Sequence, residues 1–211
     1  MATKPILFNT EMVKAILDGR KTQTRRIIKL APGFTGRQVG ESGNPNNPLG
    51  FMYPCGIKRP PCNKGDILWV RETWTPFCIN KKTCSNAMLG HSDFCYKASP
   101  NDCVDNLGCK LHPSIHMPKQ AARIFLLVKD VRVERLQEIT LDDVHAEGID
   151  ASFTRAVGAE RPSGVIDFSA ERFETLWDST IKPADRDRYG WYANPWVWVI
   201  EFERIEKPKG W

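Results

Sequence analysis

Between Gly19 and Gly40 the chain carries Arg20, Lys21, Arg25, Arg26, Lys29 and Arg37 and no acidic residue. The first part of that run, Gly19-Arg20-Lys21-Thr22-Gln23-Thr24-Arg25-Arg26, sets two hydroxyls among the cations. A solvated basic face is the commoner explanation of such a run, and a partner bearing phosphates is the functional one. Lys21 and Thr24 can act jointly only if the chain turns between them. Along an extended strand, residues three apart point to opposite faces, because side chains alternate. Gly19 makes a turn plausible, since it suits the left-handed residue that ends a helix.

Two further groups carry chemistry. Gly65-Asp66 turns the chain into the alternating run Ile67 to Glu72, and the exit Glu72-Thr73-Trp74 puts a carboxylate and an indole at a strand end, where pockets in small barrels open. Trp74 there either caps a core or stacks on a base. Between Thr75 and Met117 lie Cys78, Cys84, Cys95, Cys103 and Cys109 with His91, His112 and His116, a concentration of the soft donors that zinc prefers. No Cys-x-x-Cys pair occurs, so ordinary reduced cysteines are favoured over a structural zinc site. His116, between Ile115 and Met117, reads as packed, with pocket lining as its functional alternative.

The elements that must position these residues follow from periodicity. With 211 residues and 41% hydrophobic content the chain suits one well-buried core, so a single domain over 1–211 is expected, with insertions at about 31–64 and 75–117. Pro5 to Phe8 reads as a strand. Val13, Ile16 and Leu17 form the apolar face of a helix capped by Asn9 or Thr10. Arg25 to Lys29 reads as the next strand, and the proline-rich stretch from Ala31 to Gly65 as loop. Ala122 to Leu136 is a long strand signal with a change of alternation at Lys129-Asp130 that suggests a bulge or hairpin turn. Thr140-Leu141-Asp142-Asp143 has the form of a capping box, so a short helix runs to His145 or Ala146 and Gly148 stops it. Ile149 to Val165 reads as loop and Phe168 to Ile181 as a helix with Phe173, Leu176 and Trp177 on one face. Tyr189-Gly190-Trp191 falls at a pocket rim, and Trp196 to Phe202 is a closing strand. Seven cysteines make an odd number and argue against a disulfide framework. No membrane span or signal peptide is read, so a cytoplasmic protein is expected.

Taken in order, Gly19-x-Lys21-x-x-Thr24-x-Arg26 after a short helix, Gly65-Asp66-Ile67-Leu68-Trp69-Val70-Arg71-Glu72, Thr140-Leu141-Asp142-Asp143-Val144-His145-Ala146-Glu147-Gly148 and the closing strand resemble the ASCH domains. These are small β-barrels related to the PUA domains that bind RNA. The chain is most similar to the larger ASCH-like proteins common in phages and prophages, over most of its length. The resemblance implies an α+β fold, a small PUA-like mixed β-barrel flanked by short helices, with two long loop insertions.

The resemblance also implies a site. ASCH amidohydrolases that remove the acyl group from N(4)-acetylcytidine have a lysine, a threonine three residues later, and a glutamate before a helix-ending Gly or Asn. Lys21, Thr24 and Glu147 match those positions. Thr24 would be the nucleophile, Lys21 its activating base, and Glu147 the proton donor or water-positioning group. Physics is compatible with that assignment. A threonine hydroxyl needs an adjacent base, and a lysine serves if burial and neighbouring cations lower its pKa. Glu147, at the negative end of a short helix, suits a general acid. Arg26, pointing inward, would stabilise an oxyanion, with Arg25, Glu72, Trp74 and His116 around the substrate. The implied partner is a nucleoside or RNA, and no cofactor is required beyond a possible structural zinc on Cys78, Cys84, Cys95, Cys103 and Cys109. Two other readings stand beside this one: a PUA-like RNA-binding module without catalysis, and a ribonuclease using the same pocket.

Overall fold

The structure, a computed structural model, describes residues 1–29, 60–76, 94–99, 110–149, 155–156, 165–166 and 169–211. Most of both expected insertions lies outside those residues. At the level of fold class the described chain is α+β. Its principal sheet has five strands in the order β1-β3-β6-β9-β2, with β1 Thr3–Leu7, β2 Gln23–Ile27, β3 Ile67–Arg71, β6 Phe125–Arg135 and β9 Trp196–Ile205. β1 runs parallel to β3, while β3 with β6 and β2 with β9 are antiparallel, so the sheet is mixed. Two small antiparallel pairs accompany it: β4 (Trp74–Pro76) with β5 (Phe94–Tyr96), and β7 (Arg155–Ala156) with β8 (Val165–Ile166). The second pair falls where only loop was expected.

The expected closed barrel is not what the described residues form. β1 and β2 stand at opposite ends of the strand order, and closure would need the two to pair. Just before β2, hydrogen bonds are made instead with the chain that follows the short helix α2 (Leu141–Ala146): Lys21 bridges Glu147, and the Thr22 N–H donates to the Ala146 carbonyl at 2.8 Å. β2 also begins two residues earlier than its apolar signal suggested, because Gln23 pairs with Glu201.

The chain divides into two compact units. The first comprises Met1–Gly19, Gly65–Val128 and Phe202–Trp211. Its core gathers Ile67, Trp74, Tyr96, Met117, Ala121, Ala122 and Phe125. The buried Asp66 carboxylate ties the start of β3 to the N-terminal strand, accepting from the Ala2 N–H at 2.8 Å and from Lys4 Nζ at 2.9 Å. Helix α1 (Thr10–Leu17) is capped by Asn9, which accepts from the Met12 N–H at 2.8 Å, and it buries Val13, Ala15 and Ile16. Gly19 has φ 75°, the left-handed conformation that ends the helix without a Cβ clash.

The second unit comprises Arg20–Lys64 and Lys129–Glu201. Its core packs Leu136, Val144, Phe173, Trp177, Ile181, Val197 and Val199. Helix α3 (Ser169–Thr180) supplies Phe173 and Trp177, and the Trp177 indole donates to the Tyr189 carbonyl at 2.8 Å, at the end of the short helix α4 (Arg186–Tyr189). β6 runs through Lys129-Asp130 as one strand of 11 residues, with no hairpin turn. The change of alternation there coincides with the passage of β6 from the first unit to the second. Helix α2 starts with the expected capping box: Thr140 accepts from the Asp143 N–H, and Asp143 accepts from the Thr140 N–H at 3.1 Å.

Since α2 spans only six residues, its cap is a large share of what holds it. Thr140→Ala is expected to destabilise the protein by about 1 kcal/mol and Thr140→Ser by much less. Urea unfolding midpoints measure the difference, and equal midpoints for Thr140→Ala and the parent would contradict the cap's role.

Candidate active site

Lys21 sits between α1 and β2, and Glu147 follows the last residue of α2, so a β-bridge between them fastens the end of that helix to the approach of an edge strand. The Lys21 amine donates to three oxygens: the Gln23 carbonyl at 2.7 Å, the Glu147 carbonyl at 2.9 Å and Glu147 Oε2 at 2.6 Å. An ammonium has three protons to give, and these acceptors match them. The two side chains are 0% and 5% exposed. The other carboxylate oxygen, Oε1, faces Arg25 Nη1 at 3.4 Å. Arg25 also donates to Gln23 Oε1 and, through Nη2, to Glu134 Oε2 at 3.1 Å, with Asp143 Oδ2 at 3.3 Å. Gln23 completes the circuit by donating to Asp143 Oδ1 at 3.0 Å. Further out, Arg132 pairs with Glu134 and Glu201 and lies 3.5 Å from Asp143.

Burial decides the electrostatics of the pair. It holds Lys21 below the ordinary lysine range; Glu147 opposes that shift by favouring the ammonium, and Arg26 and Arg25 add to it by repulsion. Burial likewise lowers Arg26, against the pull of Glu147 and Cys62. Asp143 ends below the usual carboxylate range: burial pushes it up, but hydrogen bonds from Thr140 and Gln23 and the charge of Arg25 outweigh that.

The turn that a joint action of Lys21 and Thr24 called for does not form. The link is a β-bridge at Lys21 followed by β2 from Gln23, because Lys21 and Thr22 make their hydrogen bonds with the segment after α2 and thereby keep the chain extended. Thr24 is buried and pairs with Ile200. Directly opposed residues in antiparallel strands share a face. Thr24 and Arg26, opposite Ile200 and Trp198, therefore lie on one face of β2, and Gln23 and Arg25, opposite Glu201 and Val199, lie on the other. Glu147 is contacted by Arg25, and its charge opposes the lowering of Arg26 by burial.

The remaining expected site residues are placed differently. Glu72 is buried, and both its oxygens accept from Arg123, at 2.8 and 2.9 Å, so it is a locked ion pair. Trp74 is in the core of the first unit, 8% exposed, with ring centroids 5.6 Å from Phe94 and 5.4 Å from His112. His116 is exposed, in a 3-10 turn from Ser114 to His116, and its neighbour Met117 is the packed residue. Tyr189 and Trp191 pack against the second core, Trp191 with its ring 6.1 Å from Phe173. Of the proposed zinc ligands only Cys95 is described, and it is buried; Cys78, Cys84, Cys103 and Cys109 lie outside the described residues. Among the described residues no group of three His, Cys, Asp or Glu side chains could hold a metal ion, and no helix is long and apolar enough to cross a membrane.

Gln23, Glu134, Asp143 and Arg132 were not singled out from the sequence as site residues. Asp143 carried a signal only as a helix cap, and Glu134 only as a polar position on a strand. Gln23 and Asp143 are 120 residues apart, and no local pattern joins them.

A buried ion pair stabilises only when both members are present. Lys21→Met is expected to cost about 3 kcal/mol, at the low end for such a lesion because Arg25 still faces Glu147, and adding Glu147→Leu should recover most of the loss. Because folding depresses the Lys21 pKa, the unfolded chain binds more protons between the folded and unfolded values. Stability should therefore rise with pH across that window, up to the ordinary lysine range, and this rise should be missing in Lys21→Met. Unfolding midpoints of the three proteins across alkaline pH measure both effects.

No family model matches the chain, and no curated protein matches it. Among solved structures the chain is similar to the crystal structure of protein EF3133 from Enterococcus faecalis V583, of the family DUF984. The two are 8% identical, the match covers 100% of this chain and 84% of that one, and the TM-score is 0.42. That likeness is too distant to carry a functional argument.

Proposed function

We propose that this protein is an amidohydrolase of the ASCH kind, on a PUA-like fold, that removes the acyl group from an acylated nucleoside of the N(4)-acetylcytidine type. The observation that carries this reading is the buried contact of 2.6 Å between Lys21 and Glu147. The two groups have almost no access to water and stand within hydrogen-bond distance; the three acceptors around the amine are those of the resting ammonium, and burial lowers the cost of the neutral amine that a general base must present.

Thr24 Oγ1 attacks the acyl carbonyl and its proton passes to Lys21 through a bridging water, the route left open where the extended chain keeps the two side chains from sharing a face. Arg26, on the Thr24 face of β2, stabilises the tetrahedral oxyanion. The intermediate then breaks its C–N bond, and the base leaves as a free amine protonated by Glu147. Water, deprotonated by the same pair, hydrolyses the acyl ester on Thr24. One amide and one water thus become one amine and one carboxylic acid. Recognition of RNA through Arg25 and Trp74 is less well supported, since Arg25 is held by carboxylates and Trp74 is in a core.

Incubation with N(4)-acetylcytidine and, separately, with labelled RNA tests the proposal. Release of acetate and cytidine is expected, with Thr24→Ala losing nearly all kcat and Thr24→Ser keeping a part. The rising limb of the pH profile should lie below the ordinary lysine range, because Lys21 is depressed. Cleavage of RNA alone, or full turnover in Thr24→Ala, would defeat this assignment.

A further inference from the structure

We propose that Arg25 is a positioning residue for the Lys21–Glu147 pair: its guanidinium holds one oxygen of Glu147 so that the other meets Lys21, and it keeps a permanent positive charge beside the lysine amine. The inference rests on the reading of that pair as the catalytic acid and base.

The geometry is that of a clamp. The Arg25 side chain is 1% exposed, and its two terminal nitrogens divide the work. Nη1 serves Gln23 Oε1 and Glu147 Oε1, while Nη2 serves Glu134 and Asp143. Glu147 already has a counter-ion in Lys21, and Arg25 has its own in Glu134 and Asp143, so charge balance alone does not call for the contact between Arg25 and Glu147. What Arg25 adds is direction. With Oε1 held from the Arg25 side, rotation of the carboxylate away from Lys21 breaks a charge-assisted contact.

Arg25 is itself fixed from behind, because Arg132 holds Glu134 and lies 3.5 Å from Asp143. Among the described residues the charged groups near Lys21 and Glu147 include Arg20, which donates to the Gly148 carbonyl at 2.7 Å, Arg25 and Arg26 on β2, Asp143 on α2, Glu134 and Arg132 on β6, and Glu201 on β9. Arg25 meets Glu147 through Nη1, 3.4 Å from Oε1. An arginine suits this place because it does not surrender its proton, so its repulsion of the lysine ammonium is constant across the working pH range. A lysine there would keep the charge and lose the fork.

The test reads Lys21 directly, by NMR titration of 13C-labelled lysine side chains, with the Lys21 resonance assigned by its disappearance in Lys21→Met. Arg25→Gln is expected to move that titration up by about one pH unit, since a repelling charge has been removed. Arg25→Lys should leave it near the parent value. With N(4)-acetylcytidine as substrate, Arg25→Lys should lower kcat on the order of tenfold with KM held, because Arg25 orients the pair and does not touch substrate. An unmoved titration in folded Arg25→Gln would overturn the proposal, as would an Arg25→Lys shift equal to that of Arg25→Gln. Should Arg25→Gln fail to fold, Arg25→Lys decides: parental kcat overturns the proposal, and a lower kcat with Lys21 unmoved supports it. If the parent protein has no turnover at all, the catalytic reading fails, while the titrations still show whether Arg25 governs the protonation of Lys21.

Discussion

Removing a lysine and a glutamate from water costs several kcal/mol for each ion, and the second unit of this protein does so where the end of α2 meets the approach to β2. Such a pair is tolerated only if every proton and lone pair finds a partner. Here two main-chain carbonyls and one carboxylate oxygen receive the three protons of the amine, and Arg25 faces the oxygen left over. The bridge fixes where α2 ends and keeps the chain before β2 extended. It also occupies hydrogen-bonding groups just outside β2. The lost turn at Lys21 and the burial of the charged cluster therefore share one physical origin.

The polar cluster and the apolar core of the second unit depend on one another. β2 and β9 present Ile27, Val197 and Val199 to the core, and the same face of β2 carries Gln23 and Arg25. Val144, on α2, is buried in that core while the next turn of the helix delivers Glu147. A helix of six residues has little stability of its own, so the capping box at Thr140 and the packing of Val144 at its middle must together place Glu147. The carboxylate is consequently as well located as the core itself. In the first unit the comparable ion pair, Glu72 with Arg123, has the opposite character. It is bidentate, both carboxylate oxygens accepting from the one guanidinium, which lies 4.0 Å from the Tyr96 ring.

Much of the chain was legible in sequence wherever the signal was local. The Asn9 cap and Gly19 stop of α1, the Thr140 capping box, the Gly148 stop at φ 89° and the closing strand from Trp196 each depend on residues a few positions apart, and each formed, although that strand is buried on both faces from Val197 to Ile200 rather than on one. Sequence also marked Lys21 and Glu147 as residues to be considered together, through their likeness to a family pattern, and they are in contact. What tertiary structure alone decided was every choice between satisfied alternatives. Trp74 could cap a core or stack on a base, and packing against Phe94 and His112 settled it as core. Lys21 to Thr24 could turn or extend, and hydrogen bonds to residues more than a hundred positions away settled it as extended. The circuit through Gln23, Arg25, Glu134 and Asp143 has no trace in any window of sequence, because a buried charge is defined by the partners that surround it. Those partners come from β2, β6 and α2, and only the folded chain brings them together.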